Sequence, residues 1–261
     1  MLDQSTRVKI ADELVTAGET KVPVPLLTKR YPDMEIADSY AIQRIWRERG
    51  EEKGRVVAGH KIGLTSKAMQ YATGISEPDY GVIFKDMVLE SGSTLEWDIY
   101  TKPRVEMELA FKLKDDVSGP DADIFDVLRA TEYVVPALEI LDARVEMEGR
   151  TIVDTIADNA AMGVMVVGGR PVRPDEHDMR WLGGLLYKNQ EIEETGLGGG
   201  VLGHPANGVH WLANRLHEHD EVLRAGQIIL AGSFTRPMWV DKGDTVMADY
   251  GPLGVVTCQF V

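Results

Sequence analysis

Glu106 and Glu108 stand two residues apart in the run RVEMELAF, residues 104–111, which otherwise places Val105, Met107, Leu109 and Phe111 at a spacing of two. That alternation reads as a strand with four apolar side chains on one side and the two carboxylates, with Ala110, on the other. Same-side neighbours in a strand lie about 7 Å apart, where two unit charges repel by about 2 kcal/mol at an effective dielectric of about 20. Something must compensate. A third carboxylate, Glu139, sits between Leu138 and Ile140 in the next strongly apolar stretch, YVVPALEILDAR. Three such glutamates on two strands could converge on one hard cation, because oxygen ligands suit magnesium, manganese or calcium better than zinc. The same alternation describes the solvated face of an antiparallel sheet, and the residues alone leave both readings open.

Lys61 lies in VVAGHKIGLTS, among small and apolar residues. A lysine there either snorkels to the surface or neutralises a buried anion. His60 beside it points to the opposite strand face and reads as structural. Asp79, in ISEPDYG, sits between proline and glycine, where turn chemistry accounts for an aspartate. GLGGGVLGHP places Gly198, Gly200 and Gly203 in a G-x-G-x-x-G spacing, but no convincing strand precedes it and the helix begins only after Pro205, so dinucleotide binding is set aside. His217 and His219 fall at a polar helix end that suits imidazole, without cysteine partners for zinc. Ser66 and Ser233 lack the G-x-S-x-G frame of a serine hydrolase.

The elements that must position these residues divide the chain in two. Residues 1–54 predict a helical cap: STRVKIADELVTAG has Val8, Ala11, Leu14 and Val15 at helical spacing with Gly18 as a stop, and IADSYAIQRIWRERGEEKG repeats the pattern. Three prolines in KVPVPLLTKRYPDM prevent one continuous helix between them. Residues 55–261 predict a catalytic mixed-sheet domain, with strands near 56–63, 82–84, 103–113, 133–141, 162–167, 182–188, 227–231, 245–250 and 255–261. Helices interrupt at DADIFDVLRATE and HPANGVHWLANRLHEH, too irregularly for a doubly wound parallel sheet.

Bulk properties narrow the function. The 261 residues are 44% hydrophobic and carry 42 acids against 28 bases, a formal net charge of −14. Such a chain has no electrostatic footprint for nucleic acid or an anionic membrane. Cys258 is the sole cysteine, so no intrachain disulfide forms, and it reads as a buried strand thiol. The N-terminal stretch carries acids and no long apolar core, unlike a signal peptide, and no uncharged run reaches the roughly 18 to 20 residues of a membrane span. The expectation is a soluble, cytoplasmic protein.

Seven motifs in order, GHKIGLTSKAMQ, SEPDYG, PRVEMELAF, VVPALEILDAR, DTIADNAA, GVLGHPANGVHWLANRL and AGQIILAGSFTRP, span nearly the whole chain. Together they resemble the 2-oxopent-4-enoate hydratase and 4-oxalocrotonate decarboxylase branch of the fumarylacetoacetate hydrolase superfamily. The resemblance implies an α+β fold, a mixed sheet rolled into the barrel-like form of that superfamily under an N-terminal helical cap. It implies Mg2+ or Mn2+ held by Glu106, Glu108 and Glu139, with Lys61 as the family's lysine. Hydratases of the branch carry an acid at the position of Asp79 where decarboxylases carry an uncharged residue, which implies water addition to a small 2-oxo or 2-hydroxy dienoate.

A seven-carbon diacid is the foremost substrate on this reading, with a five-carbon monoacid, then decarboxylation, as alternatives and a non-catalytic metal-binding partner last. An acylpyruvate hydrolase would need a His and Glu pair before Lys61, and none stands out. Lys61 and Asp79 are expected to share the proton transfers, and Ser233 and Thr235 to hydrogen-bond the substrate carboxylate. Arg236 is a candidate for the distal carboxylate, against the alternative of a surface ion pair. The family further implies a homo-oligomer, pentamer or decamer.

Overall fold

The computed structural model describes residues 1–67, 70, 71, 75 and 77–261; residues 68, 69 and 76 of the first two motifs lie outside them. Helix α1 (Gln4–Thr20) begins at Asp3, whose carboxylate accepts from the Thr6 N–H at 2.8 Å, as a helix N-cap should. It runs through Gly18, the expected stop, and ends at Lys21 in the left-handed conformation. A β-carbon at Gly18 would stand 3.4 Å from the Arg144 side chain, an ordinary contact, so the position would accept a small side chain. The proline-rich stretch holds only the short α2 (Leu27–Arg30), followed by α3 (Ile36–Glu52). Buried Asp38 ties the two long helices together, accepting from the Glu35 N–H at the start of α3, the Leu2 N–H and the Arg7 guanidinium.

Strands β1 (Val57–Gly63), β2 (Asp79–Phe84), β3 (Val88–Glu90), β4 (Ser93–Leu95), β5 (Arg104–Leu113), β6 (Thr131–Leu141), β7 (Met162–Val167), β8 (Gly183–Lys188), β9 (Glu191–Leu197), β10 (Ile228–Ser233), β11 (Met238–Trp239), β12 (Thr245–Asp249) and β13 (Val255–Phe260) follow, with helices α4 (Ile124–Ala130), α5 (Ile152–Ala157) and α6 (Pro205–His217). They form two mixed sheets. The larger has the order β2-β1-β10-β5-β6-β7-β3 with β11 paired to β5, and the smaller β4-β13-β12-β8-β9. Since the order of the larger sheet ends at β2 and β3, the barrel-like form is an open sheet backed by a second sheet. Strand β9, EIEETGL, is absent from the sequence expectation because an edge strand facing water needs no apolar alternation.

Both faces of the central β5 are covered. Val105, Met107, Leu109 and Phe111 enter a core shared with Leu186, Val246, Ala248 and Phe260 of the smaller sheet and with Val209 and Leu212 of α6. On the other face Ala110, with Val135 and Ala137 of β6 and Leu230 of β10, packs against Ile10, Leu14, Ile42 and Trp46 of the N-terminal helices. Each large side chain sealed in this way contributes about 1.5–3 kcal/mol. Two residues along from Ala110 on that helix-side face the apolar residues give out, and the carboxylates begin.

Beside them the chain makes an unusual turn. Asn159, Ala160 and Ala161 all have φ between 50 and 56, a left-handed run that costs about 1–2 kcal/mol per non-glycine residue. Asn159 offsets part of this by acting as a strand partner: its side-chain oxygen accepts from the Val82 N–H at 2.7 Å and its amide donates to the Val82 carbonyl at 2.9 Å. The turn thereby closes the free edge of β2. Asn159→Ala strands two buried peptide groups and should lower the unfolding free energy by about 2–4 kcal/mol. Urea denaturation at neutral pH measures this; a loss below about 0.5 kcal/mol, the size of an ordinary surface change, would refute the edge-closing role.

Candidate active site

Antiparallel pairing sets Glu106 of β5 directly opposite Glu139 of β6. Glu108, one same-face step along β5, faces Ser233 at the end of β10. One carboxylate oxygen from each of the three glutamates lies within 4.8 Å of the others. Glu108 and Glu139 are 1% and 0% exposed, whereas Glu106 opens onto a cavity of about 250 Å³. A solvated sheet face is therefore excluded. The donor set is oxygen only, which suits a hard divalent cation.

The surrounding chain holds these groups in place without consuming them. The Gly232 N–H donates to Glu108 Oε2 at 2.9 Å. Gly232 has φ 113, and a β-carbon there would fall 2.0 Å from Thr65 Oγ1, so no other residue fits. The Tyr250 hydroxyl wedges between β5 and β6, accepting from the Glu108 N–H and donating toward the carbonyls of Glu108 and Ala137. Lys61 Nζ stands 3.0 Å from Glu139 Oε1, yet neither Glu139 oxygen accepts a hydrogen bond. Lone pairs remain available at the centre of the cluster.

Asp79 lies not in a loop but at the first position of β2, paired with Gly63 of β1. Extension of β2 back to residue 79 puts the carboxylate over the face that carries Lys61. A β-carbon on Gly63 would come 2.2 Å from Asp79 Oδ1 and 3.4 Å from Lys61 Nζ. Both Asp79 oxygens are buried without a hydrogen-bond partner. Burial raises the Asp79 pKa above the usual carboxylate range, against the opposing pull of Lys61 and Arg150. Burial also pushes Glu106 up to about 8, with Glu139 adding to it, and holds Glu108 well above its ordinary value. The Lys61 pKa is raised as well: burial disfavours its charge, but Glu139, Asp79, Glu106 and Glu108 outweigh that and keep the ammonium protonated.

Ser233 and Thr235 line the cavity. The Ser233 hydroxyl accepts from the Thr235 N–H at 3.0 Å, and Thr235 Oγ1 accepts from the Met107 N–H at 3.2 Å, which fastens this loop to β5. Arg236 is not brought to the site. Its side chain is 76% exposed and paired with Glu194 at 2.7 Å, while Ser233, Thr235 and Pro237 around it line the cavity. Two guanidiniums the sequence reading passed over, Arg104 and Arg150, do line the cavity. Arg104 was legible, since it shares the alternation of Glu106 and Glu108; Arg150 carries no comparable signal. Cys258 is a buried strand thiol, its pKa pushed up to about 12 by burial. Among the described residues no helix is long and apolar enough to cross a membrane.

Comparison with known proteins agrees with this geometry. No protein-family model matches the chain. The chain is 49% identical over 267 aligned positions to the 2-oxo-hept-4-ene-1,7-dioate hydratase of Escherichia coli, covering 100% of both. It is 38% identical to a 2-keto-4-pentenoate hydratase of Paraburkholderia xenovorans, covering 97% of this chain and 94% of the other. The chain belongs to the 2-oxopent-4-enoate hydratase and 4-oxalocrotonate decarboxylase branch of the fumarylacetoacetate hydrolase superfamily. Within that branch, the 4-oxalocrotonate decarboxylase of Pseudomonas putida G7, solved with magnesium and adipate, superposes with a TM-score of 0.97 at 32% identity, covering 100% of this chain and 99% of that one. Fumarylpyruvate hydrolase of Pseudomonas aeruginosa shares the fold at a TM-score of 0.60 and 17% identity, over 79% of this chain and 89% of that one.

His60, on the face of β1 opposite Lys61, packs edge-on to Tyr80 and is fully enclosed, and burial lowers its pKa to about 4. Its neutral form is favoured in the folded state, so the unfolded chain binds one more proton between pH 6.5 and 4. Stability from this group is complete above pH 6.5 and is lost as pH falls, by about 1.4 kcal/mol per unit. Urea unfolding from pH 7 to 5 should show this slope and His60→Gln should reduce it by about one proton; an unaltered slope would contradict the assignment.

Proposed function

We propose that this protein is a divalent-metal-dependent hydro-lyase that adds water to a 2-hydroxy-2,4-dienoate, converting 2-oxohept-4-ene-1,7-dioate to 4-hydroxy-2-oxoheptanedioate in the breakdown of aromatic compounds. One observation carries the reading: an oxygen-only carboxylate triad opens through Glu106 onto a cavity that Lys61 and Asp79 also line. The full-length likeness to the Escherichia coli hydratase supports the same activity. The unpartnered oxygens of Glu139 fit the triad to Mg2+ or Mn2+. Held by Glu106, Glu108 and Glu139, such an ion would supply the positive charge against which a 2-oxo acid binds and its enol charge is stabilised.

The remaining roles fall to this chain's own groups. Lys61 keeps its proton and lends charge to the bound carboxylate and oxo oxygens. Ser233 and Thr235, which line the same cavity, offer hydroxyls to that carboxylate. Asp79, raised in pKa by burial, accepts the 2-hydroxyl proton and delivers a proton to C5, giving the conjugated 2-oxo-3-enoate. As carboxylate it then takes a proton from the water that attacks C4, and C3 is protonated in return. The sum is one water gained. Loss of carbon dioxide needs no base for water, so a buried acid at 79 favours hydration over the decarboxylase activity of the Pseudomonas putida protein. Its adipate is a diacid, in keeping with a dicarboxylic substrate here. A cytoplasmic homo-oligomer, pentamer or decamer, completes the proposal on the strength of the family likeness.

The deciding experiment follows the ultraviolet decay of freshly made 2-hydroxyhepta-2,4-dienedioate with magnesium and with chelator, and weighs the product. Metal-dependent gain of one water is expected; loss of carbon dioxide, or no metal dependence, would overturn the reading. Glu106→Gln should cut turnover by about 10²-fold or more. Gly63→Ala, which displaces the Asp79 carboxylate, should cost about 10²-fold in kcat, and normal turnover by it would remove Asp79 from the mechanism.

A further inference from the structure

Three cations line the cavity: Lys61, Arg104 and Arg150. The carboxylates around Lys61 account for its charge. Neither arginine is hydrogen-bonded to a carboxylate, although Arg150 attracts Asp79 from a distance. Arg104 Nε and Arg150 Nη1 are buried and make no hydrogen bond. The acid within reach of Arg150 is Asp158, at 3.9 Å, and it is already committed: Asp158 receives the Arg144 guanidinium on one oxygen and the Arg144 N–H, at 2.8 Å, on the other. Arg104 draws on Glu106, Glu139 and Asp142 only at longer range, and Asp142 is itself held by the Thr101 and Lys102 N–H groups. Two buried guanidinium groups with unbonded N–H donors are costly unless a ligand supplies acceptors.

Their place along the strand says which part of a ligand would do so. Arg104, Glu106 and Glu108 occupy successive same-face positions of β5, and Arg104 pairs with Leu141, two residues beyond Glu139. Arg104 therefore stands one pleat, about 7 Å, past the carboxylate triad. In an extended seven-carbon dioate, six carbon–carbon bonds separate the two carboxyl carbons, also about 7 Å. Leu141, Met147 and Pro237 give this end of the cavity an apolar wall, suited to the methylene groups between. The Trp239 ring, 5.2 Å from the Arg104 guanidinium, fixes its orientation from behind. A five-carbon monoacid would end short of the arginines and leave both charges unanswered.

We propose that Arg104 and Arg150 form the subsite for the distal carboxylate of a dicarboxylic substrate and set the preference for the seven-carbon diacid over the monoacid. The inference rests on the hydratase reading for the identity of the substrate, and it moves the diacid contact from Arg236 to two residues inside the cavity. A guanidinium can bind a carboxylate through two parallel N–H donors, so each arginine contributes selectivity as well as charge.

The test compares kcat/KM for 2-hydroxyhepta-2,4-dienedioate and 2-hydroxypenta-2,4-dienoate in the magnesium-loaded wild type, Arg104→Met, Arg150→Met and the double variant. Calorimetric binding of 2-oxoheptanedioate and 2-oxopentanoate, which lack the double bond and cannot be hydrated, runs in parallel. Each single variant should lower the diacid-to-monoacid ratio by about 10- to 100-fold, chiefly through KM, and the binding ratio should fall in step. Arg150→Lys, which keeps charge without the fork, should recover part of the ratio. An unchanged ratio, or equal losses on diacid and monoacid, would overturn the proposal, the latter pointing to general electrostatic support of the triad. If the wild type hydrates neither substrate the hydratase reading fails, and the two binding constants still decide whether the arginines select a second carboxylate.

Discussion

Everything in the site depends on the pairing of Glu106 with Glu139 across β5 and β6. Directly opposed residues have β-carbons about 5 Å apart, where two unit charges repel by about 3 kcal/mol at an effective dielectric of about 20. A sheet would not hold such a pair in its interior unless positive charge were supplied. Lys61 supplies one charge from β1, but Glu108 and Asp79 crowd the same face. The cluster remains over-acidic, which is why burial and mutual repulsion drive Glu106 and Glu108 toward their protonated forms. A divalent cation held by Glu106, Glu108 and Glu139 would be the compensation that chemistry makes available.

The supporting structure spends its specialised residues on keeping the carboxylate oxygens free. Tyr250 reaches from beyond β12 to bond peptide groups of β5 and β6. Gly232 turns its N–H onto Glu108, and Gly63 leaves room for Asp79 above Lys61. The left-handed turn at 159–161 stores strain beside the cavity and is held by the amide of Asn159. Strain next to a reactive centre persists where surrounding contacts over-determine it, and here the contact is a strand edge.

The N-terminal helices explain where the site lies. They cover the helix-side face over Ala110, Ala137 and Leu230, and where that cover stops the same face presents Glu108, Glu106 and Arg104 in order. One alternating strand thus runs from packed core to reactive centre to the end of the cavity, and its spacing is a ruler along which a two-ended substrate can be measured.

Much of this was readable from the residue order. A period of two in RVEMELAF forced Glu106 and Glu108 to one side, and the same period carried Arg104 with them. Local alternation determines which face a side chain occupies because a strand offers only two. It could not say whether that face meets water. Burial of Glu108 and Glu139, the extension of β2 that lifts Asp79 out of a turn and sets it over Gly63, and the arrival of Arg150 from a segment without periodicity are all products of long-range pairing. The amino-acid sequence by itself determined the charged faces and the family. Only the tertiary structure decided which charges are desolvated together, because desolvation depends on what packs above a strand and not on the strand itself.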